Sequence, residues 1–222
     1  RLAMNQNRKI DFWSFPGWFK DPAVELEYAI LANQPRPSSM ITTYRFFAAL
    51  KQGGARDPHL RYEIAWHLAK WAHEKEFTEL LTSDDANMRL AGLITIDVAC
   101  YENTRSKKEA LVALAKALEN PGKLDHQLLL TVAQLDGDAS IVPALEKMIA
   151  RDDLPAATVA KAFLVLKAKA GPAYAVKAQG AGKRFIEAVE KGTLPIKTPA
   201  DQLVLFEFLE SEGPTPFALK QI

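Results

Sequence analysis

The sequence has one cysteine, Cys100, among 222 residues. A single thiol excludes an intramolecular disulfide framework and a zinc site built from several cysteines. It says little about compartment, because many exported proteins carry no disulfide. Net charge is nearly absent too: 28 Lys and Arg stand against 27 Asp and Glu, leaving +1. A balance of that kind gives no global attraction to nucleic acid or to an anionic membrane. No run approaches the ~20 consecutive apolar residues that a membrane-spanning helix needs, and no secretory signal opens the chain. Period-two alternation of β-branched residues is almost missing, which argues against strands.

What the sequence has is apolar content and helical spacing. Apolar residues make up 48%, enough for a sizeable core and too many for a disordered chain. Leu111, Leu114, Ala115 and Leu118 fall at i, i+3, i+4 and i+7, the spacing of one helix face. Leu124, Leu128, Val132 and Leu135 form a second stripe, and Ile141, Leu145, Met148 and Ile149 a third. The stretch from Leu90 to Cys100 is apolar nearly all round, broken by Thr95 and Asp97, and predicts a helix buried on most sides. Helix pairs are expected over 39–52 with 57–74, 76–82 with 84–102, 106–119 with 123–136, 140–151 with 155–168, and 182–191 with 199–212. Ser106 with Glu109 fits a capping box.

A local pattern recurs along the chain. Asp21-Pro22, Asp57-Pro58 and Asp85-Ala86 each precede an apolar helix, and Arg61 and Arg89 stand four residues after the second and third acids. Aspartate at a helix N-cap accepts bonds from orphan backbone N–H groups. Proline at the next position forfeits no helical bond, and the negative charge suits the positive end of the helix dipole. First helices recur about 30–42 residues apart, the period of two-helix repeats, in which each pair needs neighbours to bury its apolar face.

Those residues resemble HEAT repeats. Asp57-Pro58-x-Leu60-Arg61-x-x-Ile64-Ala65-x-x-Leu68 and Asp85-x-x-Met88-Arg89-x-x-Gly92-Leu93 match the second-helix pattern of that family, and the resemblance extends over residues 21–222, weakest after residue 170. It implies an all-α fold, an α-α superhelix of about five to six antiparallel helix pairs. Residues 1–20, with Phe12, Trp13, Phe15, Trp18 and Phe19, are expected to pack on the first repeat. Arg1 in place of an initiating methionine, and an unfinished repeat at Pro216–Ile222, lead to the expectation of a piece of a longer protein. Leu90 to Asn103 and Lys123 to Leu128 are also similar to HEAT regions in large exported proteins of planctomycete-type bacteria. Those proteins join a dehydrogenase-like β-propeller and a c-type cytochrome domain. That resemblance implies a periplasmic or exported spacer, with no Cys-x-x-Cys-His haem-attachment motif of its own.

Candidate chemistry is sparse. His59, Glu63 and His67 sit at i, i+4 and i+8, a spacing that can hold a metal ion, although a solvated polar face explains the same pattern and the His-Glu-x-x-His order of zinc peptidases is lacking. Asp97 is either a ligand-gripping acid or a structural partner of Arg89 or Arg61. Cys100 has no positive neighbour to favour a thiolate and reads as a small buried residue. Gly180-Ala181-Gly182-Lys183 lacks the spacing of a phosphate loop. Residues 155–197 carry eight basic side chains, among them Lys161, Lys167, Lys169, Lys177, Lys183 and Arg184, against Glu187 and Glu190. That stretch is either a docking patch for an acidic partner or a solvated lysine-rich face. Trp13, Trp18, Trp66 and Trp71 suit either a ligand groove or the core.

The expectation is therefore a non-enzymatic interaction scaffold without a cofactor. Its partner is another protein or a neighbouring domain of the same polypeptide. Glu63, His67, Lys70, Asp97, Tyr101 and Gln134 are the expected contact residues, since second helices line the concave face in the HEAT family. The alternatives are a HEAT-like nucleic-acid binder or DNA glycosylase, and an accessory domain of an exported oxidoreductase or cytochrome protein.

Overall fold

A computed structural model describes residues 21–24, 26, 39–151 and 153–170, together with isolated positions between 187 and 207. Among these residues every regular element is helical and none is a strand, so the described part of the chain is all-α. The aromatic-rich residues 1–20, the basic residues Lys177, Lys183 and Arg184, and the stretch Pro216–Ile222 lie outside the described residues. The chain divides into two compact units, Arg1–Ala110 and Leu111–Ile222.

In the first unit, α1 (Ser39–Ala49) runs into a π-helical turn, Leu50–Gly54, and is followed by α2 (Pro58–Leu68), α3 (Glu74–Leu81) and α4 (Ala86–Tyr101). Helix α2 packs against α1 and α4, and α3 packs against α4. The core gathers Phe46, Phe47, Leu50, Ile64, Leu68, Leu80, Met88 and Ala91, with Leu60 packed against it. Helix α4 is buried on most sides, as its apolar circumference predicts, with Leu93, Ile96, Val98 and Cys100 inside. Its Thr95 hydroxyl donates to the Ala91 carbonyl at 2.7 Å, so that buried polar group is satisfied within the helix. Gly92 lets α3 and α4 approach closely: a Cβ there would lie 2.9 Å from Leu80 Cβ and 3.1 Å from Leu81 Cδ2.

The aspartates set the helix starts. Asp57 accepts from the N–H groups of His59 and Leu60 at 2.8 and 3.0 Å, Asp85 from Asn87 at 2.8 Å, and Asp21 from Ala23 at 2.9 Å. The helix bonds, that to Leu60 first, hold the Asp57 carboxyl below its usual pKa. The arginines complete the pattern: Arg61 Nη1 donates to the Ala55 carbonyl at 2.9 Å, and Arg89 Nη1 donates to those of Ser83 and Asp84 at 2.8 and 2.9 Å. Each arginine thus folds back over the loop that precedes its own helix.

Helix α5 (Lys107–Glu119) straddles the division, and the second unit continues with α6 (His126–Asp136), a 3-10 turn at Ala139–Ile141, α7 (Val142–Ile149) and α8 (Ala156–Ala170). Helix α8 packs against α6 and α7. Leu114, Leu118, Leu129, Leu130, Ile141, Leu145, Met148, Phe163 and Leu166 are buried. Two aspartates that the repeat pattern did not single out also cap elements here: Asp125 opens α6 and Asp138 opens the 3-10 turn.

Three expectations need correction. The helix expected over 57–74 ends at Leu68, where the N–H groups of Trp71 and Ala72 close back on the Leu68 carbonyl at 2.9 and 2.8 Å. Of the stripe Leu124, Leu128, Val132 and Leu135, Leu124 is buried just before α6 and Val132 is half-buried, but Leu128 and Leu135 are 46% and 68% exposed, and within α6 the core face is Leu129, Leu130 and Ala133. Instead of the Ser106–Glu109 capping box, the Ser106 N–H is taken by Thr104 Oγ1 at 3.3 Å. A capping box stands at α3, where the His73 N–H donates to Glu76 Oε2 at 2.9 Å.

Candidate interaction surface on the first unit

The C-terminal end of α2, with the turn that follows it, carries His67 and Lys70, two of the residues expected to make contacts, and its geometry follows from how α4 terminates. Asn103 takes a left-handed conformation with φ of 49°, which asparagine tolerates better than most side chains. The Thr104 N–H then reaches back to the Ala99 carbonyl at 3.0 Å, closing a Schellman-type turn. This turn points residues 104 and 105 at α2. Thr104 Oγ1 donates to the Ala69 carbonyl at 2.6 Å and Arg105 Nε to the Lys70 carbonyl at 3.0 Å. The loop after α4 therefore satisfies carbonyls that the end of α2 leaves without helical partners.

Rings and cations are layered on this frame. The His67 ring stacks on Phe46 of α1, centroids 5.1 Å apart and planes 15° from parallel, and meets Trp66 edge-on at 5.0 Å. Lys70 Nζ lies 3.0 Å from the Trp66 ring centroid, and the Arg105 guanidinium lies 3.8 Å from that of Trp71. Both are cation–π arrangements. Burial between the rings holds the His67 pKa down at about 4, with the Lys70 charge as the second cause. Burial also lowers the Lys70 pKa, against a smaller upward pull from Glu102.

The expected contact residues thus have different fates. Glu63 and Tyr101 are exposed, Tyr101 at 83%, and Lys70 and Asp97 are half-buried. His67 faces inward against Phe46. Gln134 is exposed on α6 of the second unit. Asp97 has no ion pair with Arg61 or Arg89, both of which serve the loops before their own helices. His59 and Glu63 point to solvent while His67 is tucked between rings, and no group of three metal-ligating side chains forms among the described residues. Of the basic stretch, Lys161 is not a surface charge. It is 7% exposed, and its Nζ lies 2.8 Å from Glu207 Oε2. Lys167 and Lys169 sit half-buried in the last turn of α8.

Three features escaped the sequence reading. Tyr62, 52% exposed on α2, adds an aromatic side chain one helical turn before Trp66. Arg105 has no local signal in the sequence, because the Lys70 carbonyl it binds lies 35 residues away in the chain. A cavity of about 250 Å³ opens in the first unit, lined among others by Tyr44, Phe47, Lys51, His73 and Glu79. Lys51 Nζ and Glu79 Oε1 form an ion pair there at 2.9 Å. No helix among the described residues is long and apolar enough to cross a membrane. The chain matches no protein family, no curated protein and no solved structure.

Proposed function

We propose that this chain is a HEAT-like α-solenoid that acts as a non-enzymatic protein-interaction scaffold, with the outer face of α2 and α4 as its contact surface. The observation that carries the reading is the twice-repeated start of those helices. In each, an aspartate caps the helix and an arginine four residues later closes on the carbonyl two residues before the cap, and the two helices pack against each other. Equivalent helices placed side by side are what a two-helix repeat generates. The surface they carry has Tyr62 and Tyr101, a residue type enriched at binding faces, beside the charged Glu63, Lys70 and Asp97.

A peptide-display selection against the whole chain tests the proposal. Enriched sequences are expected to lose binding at least tenfold to a Tyr62→Ala/Tyr101→Ala variant whose circular dichroism is unchanged. No enrichment, or enriched sequences indifferent to that variant, overturns the assignment of this face.

A further inference from the structure

Several cations among the described residues pair with an acid. Lys51 pairs with Glu79, Lys147 with Glu119, Arg151 with Asp153 and Lys161 with Glu207. Lys70 and Arg105 do not. Each is laid over an indole, and among the described residues neither forms an ion pair. Arg105 spends Nε on the Lys70 carbonyl and leaves the two terminal nitrogens of its fork without a bond there. A guanidinium fixed by a stacked ring and by Nε loses little side-chain freedom when its fork meets a carboxylate.

The backbone beneath the two cations is locked as well. The Asn103 turn and the Thr104 and Arg105 bonds pin the loop after α4 to the end of α2, which brings two positions far apart in sequence onto one edge. Residues 101–108 contain Arg105, Lys107 and Lys108 against Glu102, and Lys70 brings a further positive charge to the contact. Tyr101, the last residue of α4, is almost fully exposed. Tryptophan, tyrosine and arginine are the residues over-represented where interfaces concentrate their binding energy.

We propose that Lys70 and Arg105, each seated on a tryptophan, form a clamp for the carboxylates of an acidic peptide segment on a partner protein, with Tyr101 at its rim. This inference rests on the scaffold reading and names the chemistry of its partner. The fork takes one carboxylate in a bidentate pair, the ammonium takes a second, and the segment lies along the end of α2.

The test titrates the full chain with fluorescein-labelled octaglutamate, using octalysine and a short polyphosphate as comparison probes. Octaglutamate is expected to bind at low salt and to weaken as salt rises from about 50 to 200 mM, with octalysine silent. Binding is expected to shift the indole N–H signals of Trp66 and Trp71 in a nitrogen–proton correlation spectrum. Lys70→Gln and Arg105→Gln are each expected to weaken binding at least fivefold, and Lys147→Gln, which removes an exposed charge elsewhere, to leave it unchanged. Lys70→Gln keeps the loop bonds and so reports even where Arg105→Gln does not fold. The clamp is overturned by absence of octaglutamate binding, by equal losses in Lys70→Gln and Lys147→Gln, or by tighter binding of polyphosphate, which marks a phosphate site instead. Display-selected sequences that need Tyr101 but carry no acids refute the clamp and leave the scaffold standing. Selection without enrichment removes the scaffold itself.

Discussion

His67 makes the first unit sensitive to mild acid in a way that can be measured apart from everything else that titrates. Its ring sits against Phe46 and Trp66, and its pKa falls from 6.5 to about 4. The folded state therefore binds the proton less readily than the unfolded chain. Stability from this group is complete above about pH 6.5, is lost as pH falls toward 4, and is lost no further below that. Each pK unit corresponds to about 1.4 kcal/mol, so the full shift sets a ceiling of roughly 3 kcal/mol. Partial exposure of the ring lets solvent screen the charge, which reduces the expectation to about 1.5–2 kcal/mol. His67→Phe keeps a ring between Phe46 and Trp66 and cannot titrate. Urea unfolding followed by circular dichroism at pH 7.5, 6, 5 and 4.3 is expected to show the parent losing about 1.5–2 kcal/mol more than the variant over that interval. The titration midpoint of the His67 ring proton, read by magnetic resonance, is expected near 4, and Lys70→Met is expected to raise it by less than half of the shift, because burial is the larger cause. Parallel stability profiles, or a midpoint near 6.5, refute the ring packing as described.

Other substitutions probe the packing and the caps. Gly92→Ala drives a methyl group into Leu80 and Leu81 and is expected to cost about 1–3 kcal/mol in urea unfolding, the range for overpacked cores. At Asn103, with its positive φ, glycine is expected to be neutral or slightly stabilising and valine to cost at least about 1 kcal/mol, read as a change in melting temperature. Glu207→Gln leaves the buried Lys161 ammonium without its carboxylate and is expected to cost about 3 kcal/mol, whereas Lys161→Met with Glu207→Gln recovers most of that loss. The exposed pair Lys51–Glu79 is expected to show a coupling below about 1 kcal/mol in a double-mutant cycle.

The helical class was readable because its signals are local. Asp57, Asp85, Arg61 and Arg89 act within a few residues of their own helix starts, so their spacing carries their geometry. Helix α6 misled because it is apolar on two faces. Leu128, Val132 and Leu135 form as regular a stripe as the buried Leu129, Leu130 and Ala133, and periodicity cannot rank two apolar faces without knowing what packs against them. The premature end of α2 was invisible for a related reason: Thr104 and Arg105, far along the chain, take up the carbonyls of Ala69 and Lys70. The same long-range bonds assemble the surface, so Lys70 and Tyr101 could be named from helix position while Arg105 could not. His67 shows the limit of spacing arguments. Its position predicted a metal-facing or solvent-facing ring, and the π-face of Phe46 claims it instead.

The paired starts of α2 and α4 also bear on how the chain finds its fold. Each aspartate–arginine bracket closes a loop of only seven residues, from the carbonyl of residue 55 to the guanidinium of Arg61 and from that of residue 83 to Arg89. Loops this short close at small entropic cost and within about a microsecond, before distant segments meet. Contacts this local need no distant segment to form, so both helix starts are expected to be among the earliest native contacts, read as protection of the His59, Leu60 and Asn87 amides in pulsed hydrogen exchange.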